Sequence, residues 1–245
     1  MTSVFEVAHV GDPGQRAASE HLLQFDCERL AAYGYVLTGS AVGSGPVAAV
    51  GLVAFDGAGG LTAHGTVSIN GVITRRSGRG SYTANANCTG SATLEDDFAG
   101  FAFNFVIVPG TDAVELGLIV TNQGSLITGV AKRVEQERCD ETILQGSYQS
   151  VGGGTVLAAG PNVGVGFRIF DGEGNASGED TFSDNGEISH RVVSLTYTVE
   201  SDCSGSFRRG DGALFDLVVV GGGTEILNVR ADPGTIITAR YKKGS

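Results

Sequence analysis

The sequence contains little proline and few basic residues, and both shortages exclude classes of protein. Only 5 of the 245 residues are proline, and the 39 glycines follow no Gly-X-Y period. This composition excludes a collagen-like chain and a proline-rich disordered chain. Lysine and arginine together number 16 against 27 acidic residues, which gives a formal net charge of -11. Because this charge repels phosphate over most of the surface, we expect no nucleic acid as a partner.

Long hydrophobic runs are also missing. No run of eighteen or more apolar residues occurs, so the sequence predicts no membrane span. The first thirty residues lack a basic stretch followed by an apolar core, which is the pattern of a secretory signal. We therefore expect either a cytoplasmic protein or a mature exported form that has lost its leader. The apolar content of 41% favours a packed globule of one large or two small domains.

The chain contains two copies of one pattern. The landmarks of the first copy are Phe55-Asp56-Gly57, Asn70-Gly71, Tyr82, Cys88 and Gly90-Ser91. The second copy has Phe170-Asp171-Gly172, Asn185-Gly186, Tyr197, Cys203 and Gly205-Ser206, each 115 positions later. Upstream, Gly34 matches Gly146 at an offset of 112. We therefore predict an amino-terminal segment over 1–26, a first repeat over 27–134 and a second repeat over 135–245.

Hydrophobicity alternates with a period of two within each copy, as in Leu61 to Ile69, and this period predicts β-strands. The Asp-Gly and Asn-Gly pairs predict type I′ hairpin turns. About eight or nine strands are expected per copy, near 33–42, 47–55, 61–69, 72–77, 79–86, 90–95, 101–108, 112–121 and 125–132 in the first. Closing such a meander removes its unpaired edges. The predicted fold is all-β, with two tandem antiparallel up-and-down barrels of about eight strands each and a short helix over 15–25.

Several motifs resemble those of small bacterial barrels of the allene oxide cyclase-like, or calycin-like, group. They are Gly-x-Tyr, Phe-Asp-Gly-x-Gly, the Asn-Gly turn, Gly-x-Tyr before Cys-x-Gly, and a closing Thr-Gly-x-x-Lys segment. The resemblance implies a barrel that binds a small molecule, with cyclases among its relatives. The second copy departs from the pattern, since Gly129 becomes Ala239 and Gly80 becomes Leu195.

Two cysteines occur in each copy at matching places. The duplicated spacing favours pairs within each copy, Cys27 with Cys88 and Cys139 with Cys203. Such disulfides would indicate an oxidising compartment, whereas four reduced buried thiols would fit the cytoplasm. No Cys-x-x-Cys or histidine cluster accompanies them, so we expect neither a metal site nor a cofactor.

Common catalytic motifs are absent, so candidate site residues come from polar positions that recur on apolar strands. The candidate catalytic residues are Glu115, Tyr82, Glu225 and Tyr197. The candidate ligand-binding residues are His64, Asn104, Phe103, Phe105, Asp216 and Phe215. Alternatively, the tyrosines pack under hairpins, the glutamates face solvent, and the strand face with His64 and Thr66 is an outer face.

Two functions fit these observations. In the first, a barrel encloses an apolar or amphipathic small molecule, and a cofactor-free cyclase or isomerase would fold its substrate near the transition-state geometry. In the second, the barrels are filled and form an exported structural or adhesive module without enzymatic activity. The size of the inward-facing side chains distinguishes the two. The sequence leaves open whether the chain forms a homodimer.

Overall fold

The computed structural model of the protein describes residues 31–95, 100–108, 115–136 and 138–244. It contains two closed antiparallel barrels of eight strands each, in which consecutive strands are neighbours. The predicted all-β fold with two tandem barrels is therefore confirmed. The helix predicted over 15–25 lies outside the described residues. No helix in the described part of the chain is long and apolar enough to cross a membrane.

The strands of the two barrels follow the chain in order. The first barrel consists of β1 (Ala32–Ala41), β2 (Gly45–Phe55), β3 (Gly60–Ile69), β4 (Val72–Ala84), β5 (Thr89–Glu95), β6 (Phe101–Val108), β7 (Glu115–Val120) and β8 (Ser125–Arg133). The second consists of β9 (Gln145–Val156), β10 (Gly160–Asp171), β11 (Asn175–Asp184), β12 (Glu187–Val199), β13 (Ser204–Arg209), β14 (Leu214–Val220), β15 (Glu225–Arg230) and β16 (Thr235–Lys243). Short 3-10 turns occur at Glu141–Ile143 and Gly221–Gly223.

The two strands predicted over 72–77 and 79–86 are a single strand, β4. Gly78 does not interrupt it, because this residue continues the ladder opposite Ala63 of β3. Arg79 then pairs with Thr62 on one side and with Glu95 of β5 on the other. The strand thus extends from its pairing with β3 into its pairing with β5, which reduces the strand count to eight per barrel.

The Asn-Gly turns have the predicted geometry. Asn70 and Gly71 have φ values of 48° and 78°, and Asn185 and Gly186 have values of 50° and 93°. These positive values at both central residues are what a type I′ hairpin turn requires.

The type I′ prediction was wrong for the Asp-Gly pairs. The Asp56 carboxylate accepts hydrogen bonds from the backbone N–H groups of Ala58 and Gly60, at 2.8 Å each, and this organises a longer loop. The same bonds hold the pKa of Asp56 below its ordinary value. Asp171 repeats the arrangement in the second barrel. An aspartate that binds its own loop in this way has no need of positive φ.

Over the first five strands of each barrel the two copies align at an offset of 115, which differs from the 112 predicted for Gly34 and Gly146. Gly39 and Gly154 have φ values of 154° and 156° and approach the same carbonyl region of β8 and β16. Tyr33 and Tyr148 are likewise equivalent, since both are buried and contact a phenylalanine ring edge to face.

Aromatic rings fill one end of each barrel. At the end where β1 begins, Phe55 contacts the rings of Tyr33, Tyr82 and Phe105. In the second barrel, Phe170 contacts Tyr148, Tyr197, Phe207 and Tyr241. Edge-to-face contacts of this kind add to the free energy gained by burying the rings. In the first barrel the rings thus close one end of the lumen, and its open space lies in the other half.

A disulfide joins Cys139 to Cys203, as predicted from the duplicated spacing. The two residues are 64 positions apart, and closing such a loop stabilises a fold by about 4 kcal/mol in the chain-entropy model. Cys88 is also disulfide-bonded, and Cys27, its predicted partner, lies outside the described residues.

The barrels pack against each other through their outer surfaces. The outer faces of β1 and β2 meet those of β14, β15 and β16 in one buried cluster. Its residues include Val36, Ala48, Val50 and Leu52 from the first barrel and Val218, Val220, Val229 and Ile236 from the second. Gly34 permits this close approach, because a Cβ there would lie 2.5 Å from Val220 Cγ1. We call this contact the internal interface.

Candidate functional site

The first barrel encloses a cavity of about 340 Å³ in the half opposite the aromatic end. Side chains that point inward along the strands form its walls, and most of them are aliphatic. They include Leu37, Ala49, Val53, Ala63, Phe103 and Ile127. The cavity exists because the aromatic rings occupy only one end of the lumen and small residues such as Ala49 and Ala63 line the other.

Polar residues also line this cavity, among them His64, Ser77, Asn122 and Ser125. Tyr35 and Arg76 are two further polar residues of the lining. They lie in one row of paired residues across four strands, in the order Tyr35, Gly51, Gly65 and Arg76. A Cβ on either glycine would lie 2.6 Å from the Tyr35 hydroxyl oxygen. The paired glycines therefore provide the space in which this hydroxyl lies.

The Tyr35 phenol stays protonated far above neutral pH. Burial raises its pKa to about 12, although the positive charge of Arg76 opposes the shift. The row thus presents a hydroxyl donor and a guanidinium inside an apolar cavity. This arrangement can orient a carboxylate or a carbonyl oxygen, since both accept hydrogen bonds from such donors.

The second barrel has a cavity of similar volume, also about 340 Å³, but with charged walls. Arg168 and Asp180 stand where the first barrel has Val53 and Gly65, and their side chains form an ion pair at 2.8 Å. Arg191, the copy of Arg76, contacts the same carboxylate at 3.1 Å. The two copies therefore share a fold and differ in the chemistry of their lumens.

A buried amide marks the inner part of the second lumen. Asn228 is 1% exposed, and among the described residues its amide nitrogen and oxygen have no hydrogen-bond partner. The first barrel has Leu118 at this position. Buried amides of this kind are usually satisfied by an ordered water or another bound molecule.

The predicted aromatic site residues lie inside the barrels. Phe103 lines the first cavity and Phe215 the second. Phe105 belongs to the aromatic end of the first barrel, as does Tyr82, whose ring is 4.8 Å from that of Phe55. The Tyr197 hydroxyl donates to the carbonyls of Glu141 and Leu144, at 3.1 Å each, and so anchors the 3-10 turn before β9.

The predicted glutamates meet at the internal interface. Lys132 Nζ lies 2.7 Å from a carboxylate oxygen of Glu225 and 2.5 Å from one of Glu115. Arg240 contacts Glu225 from the other side at 2.6 Å. The side chains of Lys132 and Glu225 are only 9% and 6% exposed. The structure thus brings both glutamates together around one lysine, away from the cavities.

The remaining polar candidates lie on outer faces. His64 contacts Asp202 of the second barrel at 3.1 Å. Asp216 accepts a hydrogen bond from the Thr66 hydroxyl and forms an ion pair with Arg75. Asn104 is exposed. The side chains of His64 and Thr66 therefore make their polar contacts with the second barrel. His64 nevertheless also borders the first cavity, as one of its lining residues.

Sequence reasoning missed Tyr35 and Arg76. The alternation of polar and apolar residues defines two faces of each strand, but the residue types do not show which of the two faces the barrel encloses. Among residues 31–95, 100–108, 115–136 and 138–244, no group of three or more histidine, cysteine, aspartate or glutamate side chains is arranged to hold a metal.

Comparisons with known proteins identify no family for the chain. No family profile matches it, and neither does any curated protein. Among solved structures it is similar to the crystal structure of a protein of unknown function from the DUF3598 family of Nostoc punctiforme. That match has 10% identity and a TM-score of 0.26, and covers 90% of this chain and 99% of the other. The function must therefore follow from the geometry of the barrels.

Proposed function

We propose that the first barrel binds an apolar or amphipathic small molecule in its lumen. The observation that carries this proposal is the aliphatic cavity of about 340 Å³ with Tyr35 and Arg76 in its wall. Ligand sites in proteins are typically apolar clefts of roughly 300–1,000 Å³ with a few polar groups that fix orientation. The first lumen has this composition and this size.

The polar end of the ligand would lie at the row formed by Tyr35 and Arg76. A carboxylate or carbonyl oxygen there accepts hydrogen bonds from the phenol and the guanidinium. The apolar part would then pack against the aliphatic wall and Phe103. Binding of this kind buries hydrocarbon and places the charged group next to a cation.

A catalytic role is a narrower form of the same proposal. The resemblance to the allene oxide cyclase-like group implies a cofactor-free cyclase or isomerase, whose cavity would hold a flexible substrate in a folded shape. In this barrel, Tyr35 would donate a hydrogen bond to an oxygen that gains negative charge, and Arg76 would stabilise that charge. The roles predicted for Glu115, Tyr82, Glu225 and Tyr197 stay predictions.

Filling the cavity tests the proposal. The probe is 11-(dansylamino)undecanoic acid, whose fluorescence rises in apolar surroundings. We expect saturable binding to the wild type and a loss of at least tenfold in affinity in Ala49→Phe, which places a ring in the cavity. Ala54→Phe is the matched control, because Ala54 lies on the same strand and is exposed. Thermal unfolding of each variant shows whether it is folded, and Ala49→Val is the milder variant.

A second variant tests the orientation of the ligand. Arg76→Gln keeps hydrogen-bond donors and removes the charge. It should therefore weaken binding of the carboxylate probe about tenfold and leave the affinity for the corresponding alcohol unchanged. Absence of binding by the wild type, or equal binding by Ala49→Phe and Ala54→Phe, would rule out the lumen as the site.

A non-enzymatic exported module is the second candidate function, and the disulfide between Cys139 and Cys203 favours it. Native mass spectrometry of the purified protein distinguishes the candidates. A retained small molecule would support ligand binding. An empty first barrel that also fails to bind the probe would favour the structural module.

A further inference from the structure

Two outer faces of the molecule carry exposed aliphatic and aromatic side chains. The first, which we call the β9–β10 face, consists of Val151, Val163, Val165 and Phe167 in the second barrel. The second, the β6–β8 face, consists of Val106, Val108, Ile119 and Leu126 in the first barrel. Clustered exposed apolar residues of this kind mark interaction surfaces more often than single ones do.

Both faces are copies of surfaces that are buried in the internal interface. Val163, Val165 and Phe167 occupy the positions that Ala48, Val50 and Leu52 occupy in the first barrel, 115 residues earlier. Val50 is 2% exposed, whereas Val165 is 56% exposed. The pairing registers confirm the equivalence, since Val36 pairs with Val50 and Val151 pairs with Val165.

The β6–β8 face is the copy of the other side of that interface. Ile119 faces Asn104 across β6 and β7 as Val229 faces Asp216 across β14 and β15. Val229 is fully buried, whereas Ile119 is 56% exposed. Each half of the internal interface thus has one buried example within the chain and one exposed copy.

We propose that the β9–β10 face of one molecule binds the β6–β8 face of a second copy of this chain, in the geometry of the internal interface. The internal interface joins two different surfaces, so its repetition between molecules is heterologous. Heterologous contacts produce closed rings or open filaments, not two-fold dimers. The barrels would then follow one another in a continuous series in which contacts within and between chains are equivalent.

Charge complementarity supports the same partner. In the internal interface, Lys132 of the first barrel contacts Glu225 of the second. The corresponding residues in the proposed contact are Lys242, which is exposed, and Glu115 of the next molecule, which is partly exposed. The proposed contact therefore sets a lysine against a glutamate at the same place.

Sedimentation velocity of the full chain tests the proposal with one charged substitution on each face. We expect the wild type to exceed the single-chain mass of 25.1 kDa and to grow with concentration. Val165→Asp and Ile119→Asp should each be monomeric. Thr198→Asp should assemble like the wild type, because Thr198 on β12 and its copy, Thr83 on β4, are both exposed and lie on strands that belong to neither face.

Mixing the two monomeric variants decides the symmetry. Each variant retains one intact face, so the mixture should form a dimer with one molecule of each and grow no further. A wild type that is monomeric at every concentration would overturn the proposal. A mixture that stays monomeric would also overturn it. The same holds if either variant assembles alone, because a two-fold contact between identical faces needs only one intact face.

Discussion

The Tyr35 hydroxyl shows how single residues define the first lumen. It occupies space that exists only because residues 51 and 65 are both glycine, and it lies in the same row as Arg76. In the second barrel the row contains Ser150, Gly166, Asp180 and Arg191. Two replacements in this row, serine for Tyr35 and aspartate for Gly65, thus change its chemistry. The first barrel has a neutral donor beside a guanidinium, and the second has an ion pair.

The raised pKa of Tyr35 predicts a loss of stability at high pH. Its pKa is about 12 in the folded protein and near 10 in the unfolded chain, so the unfolded chain releases the proton first as the pH rises. The free energy of unfolding should therefore fall between pH 10 and pH 12, by up to about 1.4 kcal/mol per pH unit for each such group. Tyr148 contributes in the same direction. Urea unfolding at both ends of this range should show a smaller loss for Tyr35→Phe, and an equal loss would contradict the assignment.

At the scale of the element, the Asn-Gly hairpins have the same conformation in both barrels and different surroundings. Gly71 lies against the second barrel, where the Gly234 N–H donates to the Gly71 carbonyl at 2.8 Å. Gly186, its copy, has open space around it. The same turn therefore serves as a simple reversal in one barrel and as part of the internal interface in the other.

Alanine substitutions at the two glycines should separate these roles. Gly186→Ala introduces only the strain of a side chain at positive φ, which costs roughly 1 kcal/mol. Gly71→Ala adds a contact of 2.7 Å between the new Cβ and Gly234 Cα, so we expect a further loss of about 1 kcal/mol or more. Chemical denaturation measures both values. Equal losses at the two sites would mean that the second barrel moves away without cost.

For the whole molecule, the internal interface decides how the barrels unfold. Its apolar cluster contains residues of both barrels, and Lys132 and Glu225 form an ion pair across it with little exposure to water. Loss of Lys132 would leave Glu225 with Arg240 as its remaining partner. The cost is therefore that of a charged hydrogen bond, about 2 kcal/mol, and not that of an uncompensated buried charge. We therefore expect the two barrels to unfold together.

Lys132→Met should weaken this coupling. Calorimetry of the wild type should give one transition whose calorimetric and van't Hoff enthalpies agree. Lys132→Met should lower the free energy of unfolding by about 2 kcal/mol, since Arg240 still compensates Glu225, and broaden or split that transition. Lys242→Met is the matched control, because Lys242 is the copy of Lys132 and is exposed, so it should have little effect on the isolated chain. Two transitions in the wild type would contradict the coupling.

The sequence by itself determined the duplication, the antiparallel barrels, the Asn-Gly turns and the disulfide between Cys139 and Cys203. All of these depend on local backbone preferences or on spacings that repeat along the chain. Only the tertiary structure decided which face of each strand is enclosed, and thereby moved the candidate site to Tyr35 and Arg76. It also placed Glu115 and Glu225 at the internal interface. Alternation with a period of two defines two faces equally well, and only closure of the sheet and docking of the barrels make one of them an interior.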